Sequence, residues 1–170
     1  LLLCVGGDDT LDVMPHLVET VDGVVDQKCA LDIVVGPYFK KSVALDRALP
    51  KGQRAVRLFA DPEHLHDLIK VSDAAVTAGG QITYELAASG TPAVALALFD
   101  NQEASVRALA NFGTLLFAGR PANGRLPVAL VGMLRRLASD ATLRQSLSRT
   151  AQACVDGGGA LRAAEVLHPR

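Results

Sequence analysis

Apolar runs of strand length recur along the chain at 1–5, 31–35, 55–60, 73–78, 92–98 and 114–118. Between them lie stretches whose apolar residues follow helical spacing, at roughly 11–25, 40–49, 62–71, 81–90 and 102–112. Alternation of this kind predicts an α/β fold, a doubly wound parallel sheet with helices on both faces. After 119 the pattern turns helical only, at 127–138, 140–155 and 160–167.

Helix punctuation fits this scheme. Asp61-Pro62 reads as an N-cap followed by an N1 proline. Gly90 with Pro92 stops one helix and forces the next segment to extend. Gly157-Gly158-Gly159 reads as a hinge ahead of the last helix, and no internal repeat or low-complexity tract interrupts the chain. One domain over 1–170 is the expectation.

Composition narrows the class. The 170 residues are 49% hydrophobic, rich in Ala, Val and Leu and poor in aromatics, which suits buried parallel strands better than an aromatic-rich β-sandwich. A net charge of −1 gives no global positive field, so nucleic acid is not an expected partner and membrane association is not indicated. No run approaches the roughly 20 apolar residues of a membrane span. Cys4, Cys29 and Cys154 are far apart and show no metal-ligand spacing, which points to a reducing, cytoplasmic setting. Leu1-Leu2-Leu3-Cys4-Val5 has neither the length nor the basic flank of a signal peptide, and reads as a core strand of a longer protein.

Four predicted strand ends carry unusual residues: Gly6-Gly7-Asp8-Asp9, Gly36-Pro37-Tyr38-Phe39, Gly79-Gly80-Gln81 and Phe99-Asp100-Asn101-Gln102. Open α/β sheets bind ligands at the carboxyl ends of their strands, so the shared location carries more weight than any one motif. At Gly79-Gly80 the missing Cβ atoms let a diphosphate approach the backbone, and the free N–H groups of the next helix attract it. Gln81 and Thr83 offer further donors. The plainer alternative is a tight strand-to-helix turn that needs a positive φ.

Glu85 lies a helical turn further on, about 6 Å along the axis at 1.5 Å per residue. A carboxylate there is clear of the phosphates and suited to accept both hydroxyls of a ribose; its plainer reading is a solvated helix charge. Asp100, Asn101 and Gln102 have the mixed donors and acceptors that bind sugar hydroxyls or an N-acetyl group. Asp100 or Asn101 also fits an N-cap. Gly7, Thr10 and Gly36 are expected to line the same mouth, while Asp9 reads as a helix cap. The Gly6-Gly7-Asp8-Asp9-Thr10 segment lacks the full GxGxxG pattern, so a nicotinamide site is not supported. A metal site is not expected, because no third acidic ligand is near Asp8 and Asp9 in sequence. His16, His64, His66 and His168 form no catalytic constellation by spacing, so no catalytic residue is assigned within the chain.

At these residues the chain resembles the carboxy-terminal half of GT-B nucleotide-sugar enzymes. It is most similar to the UDP-sugar hydrolase of the pseudaminic-acid pathway and the related spore-coat polysaccharide biosynthesis proteins. The resemblance rests on Gly6-Gly7-x-Asp9, Val35-Gly36-Pro37, Ala78-Gly79-Gly80-x-x-Thr83-Tyr84-Glu85-Leu86-Ala87, Asp100-Asn101-Gln102 and Asp156-Gly157-x-Gly159-Ala160-x-Arg162. The same half looks like that of the N-acetylglucosaminyltransferase of peptidoglycan synthesis.

The resemblance implies a Rossmann-like UDP-binding domain of an enzyme that hydrolyses or transfers the sugar of a UDP-activated amino sugar, with no cofactor. Glu85 would hold the ribose, the glycine turn the diphosphate, and Asn101 and Gln102 the sugar. It also implies an amino-terminal domain, absent from this chain, that carries the catalytic histidine. Gln81 departs from the family, which has a small hydroxyl residue there. A different expectation is a non-catalytic Rossmann-like module that serves a separately encoded partner.

Overall fold

The computed structural model describes residues 1–40 and 42–168. Six strands, β1 (Leu2–Cys4), β2 (Leu31–Val35), β3 (Val56–Ala60), β4 (Ala75–Ala78), β5 (Ala93–Leu96) and β6 (Leu116–Gly119), form one sheet in the order β3-β2-β1-β4-β5-β6. Every pairing is parallel. The helices are α1 (Val13–Val24), α2 (Val43–Ala48), α3 (Leu65–Lys70), α4 (Ile82–Ser89), α5 (Asp100–Asn111), α6 (Ala129–Ser139), α7 (Ala141–Cys154) and α8 (Gly159–Leu167). The expected Rossmann-like, doubly wound α/β fold is what forms.

The strands read as unbroken apolar runs because both of their faces are covered. Leu3, Val5, Ile33, Val35, Val76, Val94 and Leu96 point to one face and pack with Met14, Leu17, Val18 and Val21 of α1 and Leu130, Leu134 and Leu137 of α6. The alternate residues Leu2, Cys4, Val34, Ala75, Ala93 and Ala95 face Ile69 of α3, Ile82 and Leu86 of α4, and Val106 and Leu109 of α5. Strand order reverses direction between β1 and β4. The crevice at their carboxyl ends is therefore the topological switch point, where such sheets bind ligands.

Gly90 closes α4 as expected: its φ is +72°, its N–H donates to the Ala87 carbonyl, and Thr91 N–H donates to Leu86. Asp61-Pro62 does not open α3. Asp61 N–H donates to the Val35 carbonyl at 2.8 Å, the residue takes a φ of +45°, and the helix begins only at Leu65 after His64. The strand exit holds Asp61 back, so Pro62 falls in the bend. Of the three glycines at 157–159, only Gly157 is left-handed (φ +73°), and Gly159 already belongs to α8.

That last junction is fastened by charge. Asp156 accepts from Gly158 N–H at 2.9 Å and from both terminal nitrogens of Arg162 at 2.7 and 3.0 Å. Buried Arg54 donates to Asp22 and to the carbonyls of Val25 and Cys29, tying the approach to β3 to the end of α1. Among the described residues, no helix is long and apolar enough to cross a membrane.

Candidate functional site

Four loops, after β1, β2, β4 and β5, lie at the carboxyl ends of the strands around the β1/β4 crevice. The first follows β1 and is shaped by Gly6, at a φ of +104°, and by Asp9. The buried Asp9 carboxylate accepts from Val13 N–H at 2.8 Å and Met14 N–H at 2.7 Å, holding two otherwise orphan donors of α1. Its role as a cap is thus as expected, although Asp12 occupies the N-cap position. Burial pushes the Asp9 carboxyl above its ordinary range, and the two N–H groups oppose that shift. Thr10 hydroxyl donates to exposed Asp8 at 2.7 Å.

The loop after β2 locks onto the first. A Cβ at Gly36 would strike the backbone of Gly7, with the Gly6 carbonyl oxygen 2.7 Å away, and Tyr38 N–H donates to the Gly7 carbonyl at 3.0 Å. Gly36 is therefore a packing requirement of this junction. Gly7 itself is exposed and meets only ordinary contacts from Tyr38 and Pro37. Beside this junction a cavity of about 360 Å³ is lined by Asp8, Asp9, Thr10, Asp12, Phe39, Lys40 and Ser42.

The β4–α4 turn divides its two glycines between two tasks. Neither has a positive φ, so the plainer reading of the pair as a left-handed turn does not hold. Gly79 is buried, and its N–H donates to the Leu96 carbonyl at 2.8 Å. A Cβ there would collide with Val106 and come within 3.1 Å of the Gln102 Cβ. Gly79 is glycine so that α5 can close on the turn. Gly80 has open space where a side chain would lie.

Among the described residues, the backbone N–H groups of Gly80, Gln81 and Ile82 have no hydrogen-bond acceptor. Together they form a cluster of free donors at the start of α4, where the helix dipole is positive. Gln81 is exposed and reaches solvent. Thr83 is buried and its hydroxyl donates to the Gly80 carbonyl at 2.8 Å, so this hydroxyl shapes the turn and has no proton left to offer a ligand.

Glu85 is exposed one turn further along α4 and makes no ion pair among the described residues. Burial raises the Cys4 thiol above its ordinary pKa, the backbone at Gly6 opposes this, and the charge of Glu85 adds to it. Glu85 lies on α4, the helix that follows β4, the strand paired with β1.

The fourth loop, after β5, opens α5. Helix α5 begins at Asp100 with Phe99 in the cap position, so neither Asp100 nor Asn101 is the N-cap. Gln102 does that work: its amide oxygen accepts from Leu98 N–H at 2.8 Å and Phe99 N–H at 3.4 Å. The oxygen is engaged with the backbone, and among the described residues the amide nitrogen has no hydrogen-bond partner. Asn101 is exposed. Asp100 pairs with Arg120, which follows Gly119 at the end of β6, and Arg120 also approaches Glu103 at 3.6 Å.

Arg120 was not among the residues expected from the sequence. A cation placed directly after a strand-terminal glycine is the signal that could have found it. The histidines His16, His64, His66 and His168 are all exposed and lie outside these four loops. Among the described residues, no group of three or more His, Cys, Asp or Glu is placed to hold a metal ion.

No family model matches the chain. It is 28% identical over 170 residues to the Bacillus subtilis (strain 168) spore coat polysaccharide biosynthesis protein SpsG, covering 98% of this chain and 49% of that protein. The chain thus spans about half the length of the curated relative it matches.

Among solved structures, S. aureus MnaA with UDP superposes with a TM-score of 0.70 at 17% identity, over 98% of this chain and 44% of that one. The glycosyltransferase VinC in complex with dTDP gives a TM-score of 0.64 at 21% identity, over 97% and 41%. The chain therefore has the fold of the carboxy-terminal half of GT-B enzymes, with a sequence similar to a protein of spore-coat polysaccharide biosynthesis.

Proposed function

We propose that the chain is the UDP-binding half of a GT-B enzyme that hydrolyses or transfers the sugar of a UDP-activated amino sugar. The observation that carries this reading is the pairing of free N–H groups at Gly80, Gln81 and Ile82 with an unpartnered Glu85 one turn beyond them. Diphosphate oxygens accept from the three N–H groups, and the Glu85 carboxylate accepts from the ribose hydroxyls. Gly7, Thr10 and Gly36 frame the neighbouring wall.

Asn101 and the amide nitrogen of Gln102 face the sugar, since Gln102 is held against the glycine turn through Gly79. When the glycosidic bond breaks, negative charge grows on the diphosphate, and the fixed N–H dipoles at the start of α4 are already oriented to receive it. The group that activates water or an acceptor hydroxyl belongs to a further, amino-terminal domain. Solved structures of this fold that contain UDP or dTDP support a nucleoside diphosphate as the ligand class.

Calorimetric titration of UDP into the protein tests this reading. Saturable binding is expected, with Glu85→Ala weakening it at least about tenfold, the equivalent of ~1.4 kcal/mol, at unchanged thermal stability. Absence of UDP binding, or equal binding by the variant, overturns the assignment.

A further inference from the structure

Gly119, with a φ of +103°, turns the chain sharply at the end of β6, and its carbonyl accepts from Ala97 N–H at 3.1 Å just beyond β5. The turn delivers Arg120 to the start of α5. There its Nη1 spans Asp100, at 2.5 Å, and Glu103, at 3.6 Å, which are three residues apart on one helix face. Glu103 has a second partner in Arg107, at 2.6 Å, whose guanidinium lies 5.2 Å from the centre of the Phe117 ring. Among the described residues, Asp100 pairs with Arg120 alone.

Stability does not account for this arrangement. Asp100 is 90% exposed and Arg120 41%, and exposed ion pairs contribute little. Asp100 in a first helical turn is already favoured by the helix dipole. What distinguishes the pair is its location. Asp100 opens α5 at the carboxyl end of β5, the strand next to β4 and its glycine turn, whereas its partner Arg120 follows β6 on the other side. A free carboxylate at the start of α5 would stand in the same mouth as the diphosphate and repel it.

We infer that Arg120 is a positioning residue of this site: it neutralises Asp100 and holds it on the β6 flank, keeping negative charge off the diphosphate and leaving Asn101 and Gln102 to meet the sugar. The inference rests on the nucleotide reading given above and assigns Asp100 to the framework of the subsite.

UDP titration of wild type, Arg120→Ala, Arg120→Lys and the double variant Arg120→Ala/Asp100→Asn, each checked for native circular dichroism, tests it. Arg120→Ala is expected to weaken UDP binding about three- to tenfold at low salt, with the loss shrinking as ionic strength rises. Arg120→Lys retains most of the affinity, and removing the Asp100 charge in the double variant restores it. If Arg120→Ala binds like wild type, or the double variant stays as weak as Arg120→Ala, the positioning role is overturned while the nucleotide reading stands. Failure of wild type to bind UDP overturns both.

Discussion

The amide oxygen of Gln102 lies 2.8 Å from the backbone nitrogen of Leu98 and accepts its N–H. One side chain thereby closes the exit of β5 against the first turn of α5, and the same residue's Cβ sits against Gly79 of the neighbouring turn. Under the proposed function its amide nitrogen meets the sugar, and substitution at this position separates that role from the framework one.

Gln102→Ala leaves Leu98 N–H without its acceptor at a partly buried site, with an expected loss of about 1–2 kcal/mol in chemical denaturation. Gln102→Glu keeps an oxygen for Leu98 but replaces the amide donor with negative charge beside the diphosphate. It is expected to hold near-wild-type stability while weakening UDP binding about tenfold. Equal effects of the two variants on both measurements would show that the side chain has one role only.

The two glycines of the β4–α4 turn are expected to respond in opposite ways. Gly79→Ala drives a methyl group into Val106 and toward Gln102, an overpacking that costs about 1–3 kcal/mol by denaturant unfolding. Gly80→Ala places its methyl in open space at a negative φ, so stability stays within about 0.5 kcal/mol. That methyl occupies the approach to the free N–H groups, and UDP binding falls. A Gly80 variant that binds UDP normally would remove the phosphate from this turn.

The order of elements was legible in the chain because two-sided burial writes parallel strands as short apolar runs, and the helices between them keep their own period. Each predicted strand and helix is present, with ends that differ from the expected ones by three residues or fewer. Local capping was less legible. Asp61 is drawn off by a hydrogen bond to Val35 and Asp100 by an ion pair to Arg120, both partners set by the fold and distant in sequence. The Gly79-Gly80 pair is legible as a strand-to-helix turn, but the reason for Gly79 is Val106, a contact visible only once α5 has docked. Thr83 reads in the sequence as a donor to a ligand, whereas in the folded turn its hydroxyl is already bound to the Gly80 carbonyl.

Asp9 supplies two acceptors to the start of α1, at Val13 and Met14. Asp9→Ala is expected to cost about 1–2 kcal/mol, the upper range for loss of a helix cap, because both N–H groups lose their partner at a buried position. Asp9→Asn retains one acceptor oxygen and should recover roughly half of that loss, read as the midpoint of urea unfolding. Full stability in the alanine variant would mean that water satisfies both N–H groups.

The Asp156 carboxylate is held at a pKa of about 2, below its ordinary 3.8, first by its hydrogen bonds from Arg162 and then by the Gly158 N–H. A carboxylate whose folded pKa is depressed adds stability that is fully present above the unfolded value and is lost as pH falls through the folded one. The clasp that sets α8 on the domain is thus expected to be intact above about pH 4 and to loosen progressively toward about pH 2. The carboxyl carbon resonance of Asp156, followed by NMR through this range, reports the transition directly. Arg162→Ala should return its midpoint toward 3.8 and fray α8 at higher pH, whereas an unshifted midpoint in that variant would assign the depression to the backbone of Gly158 alone.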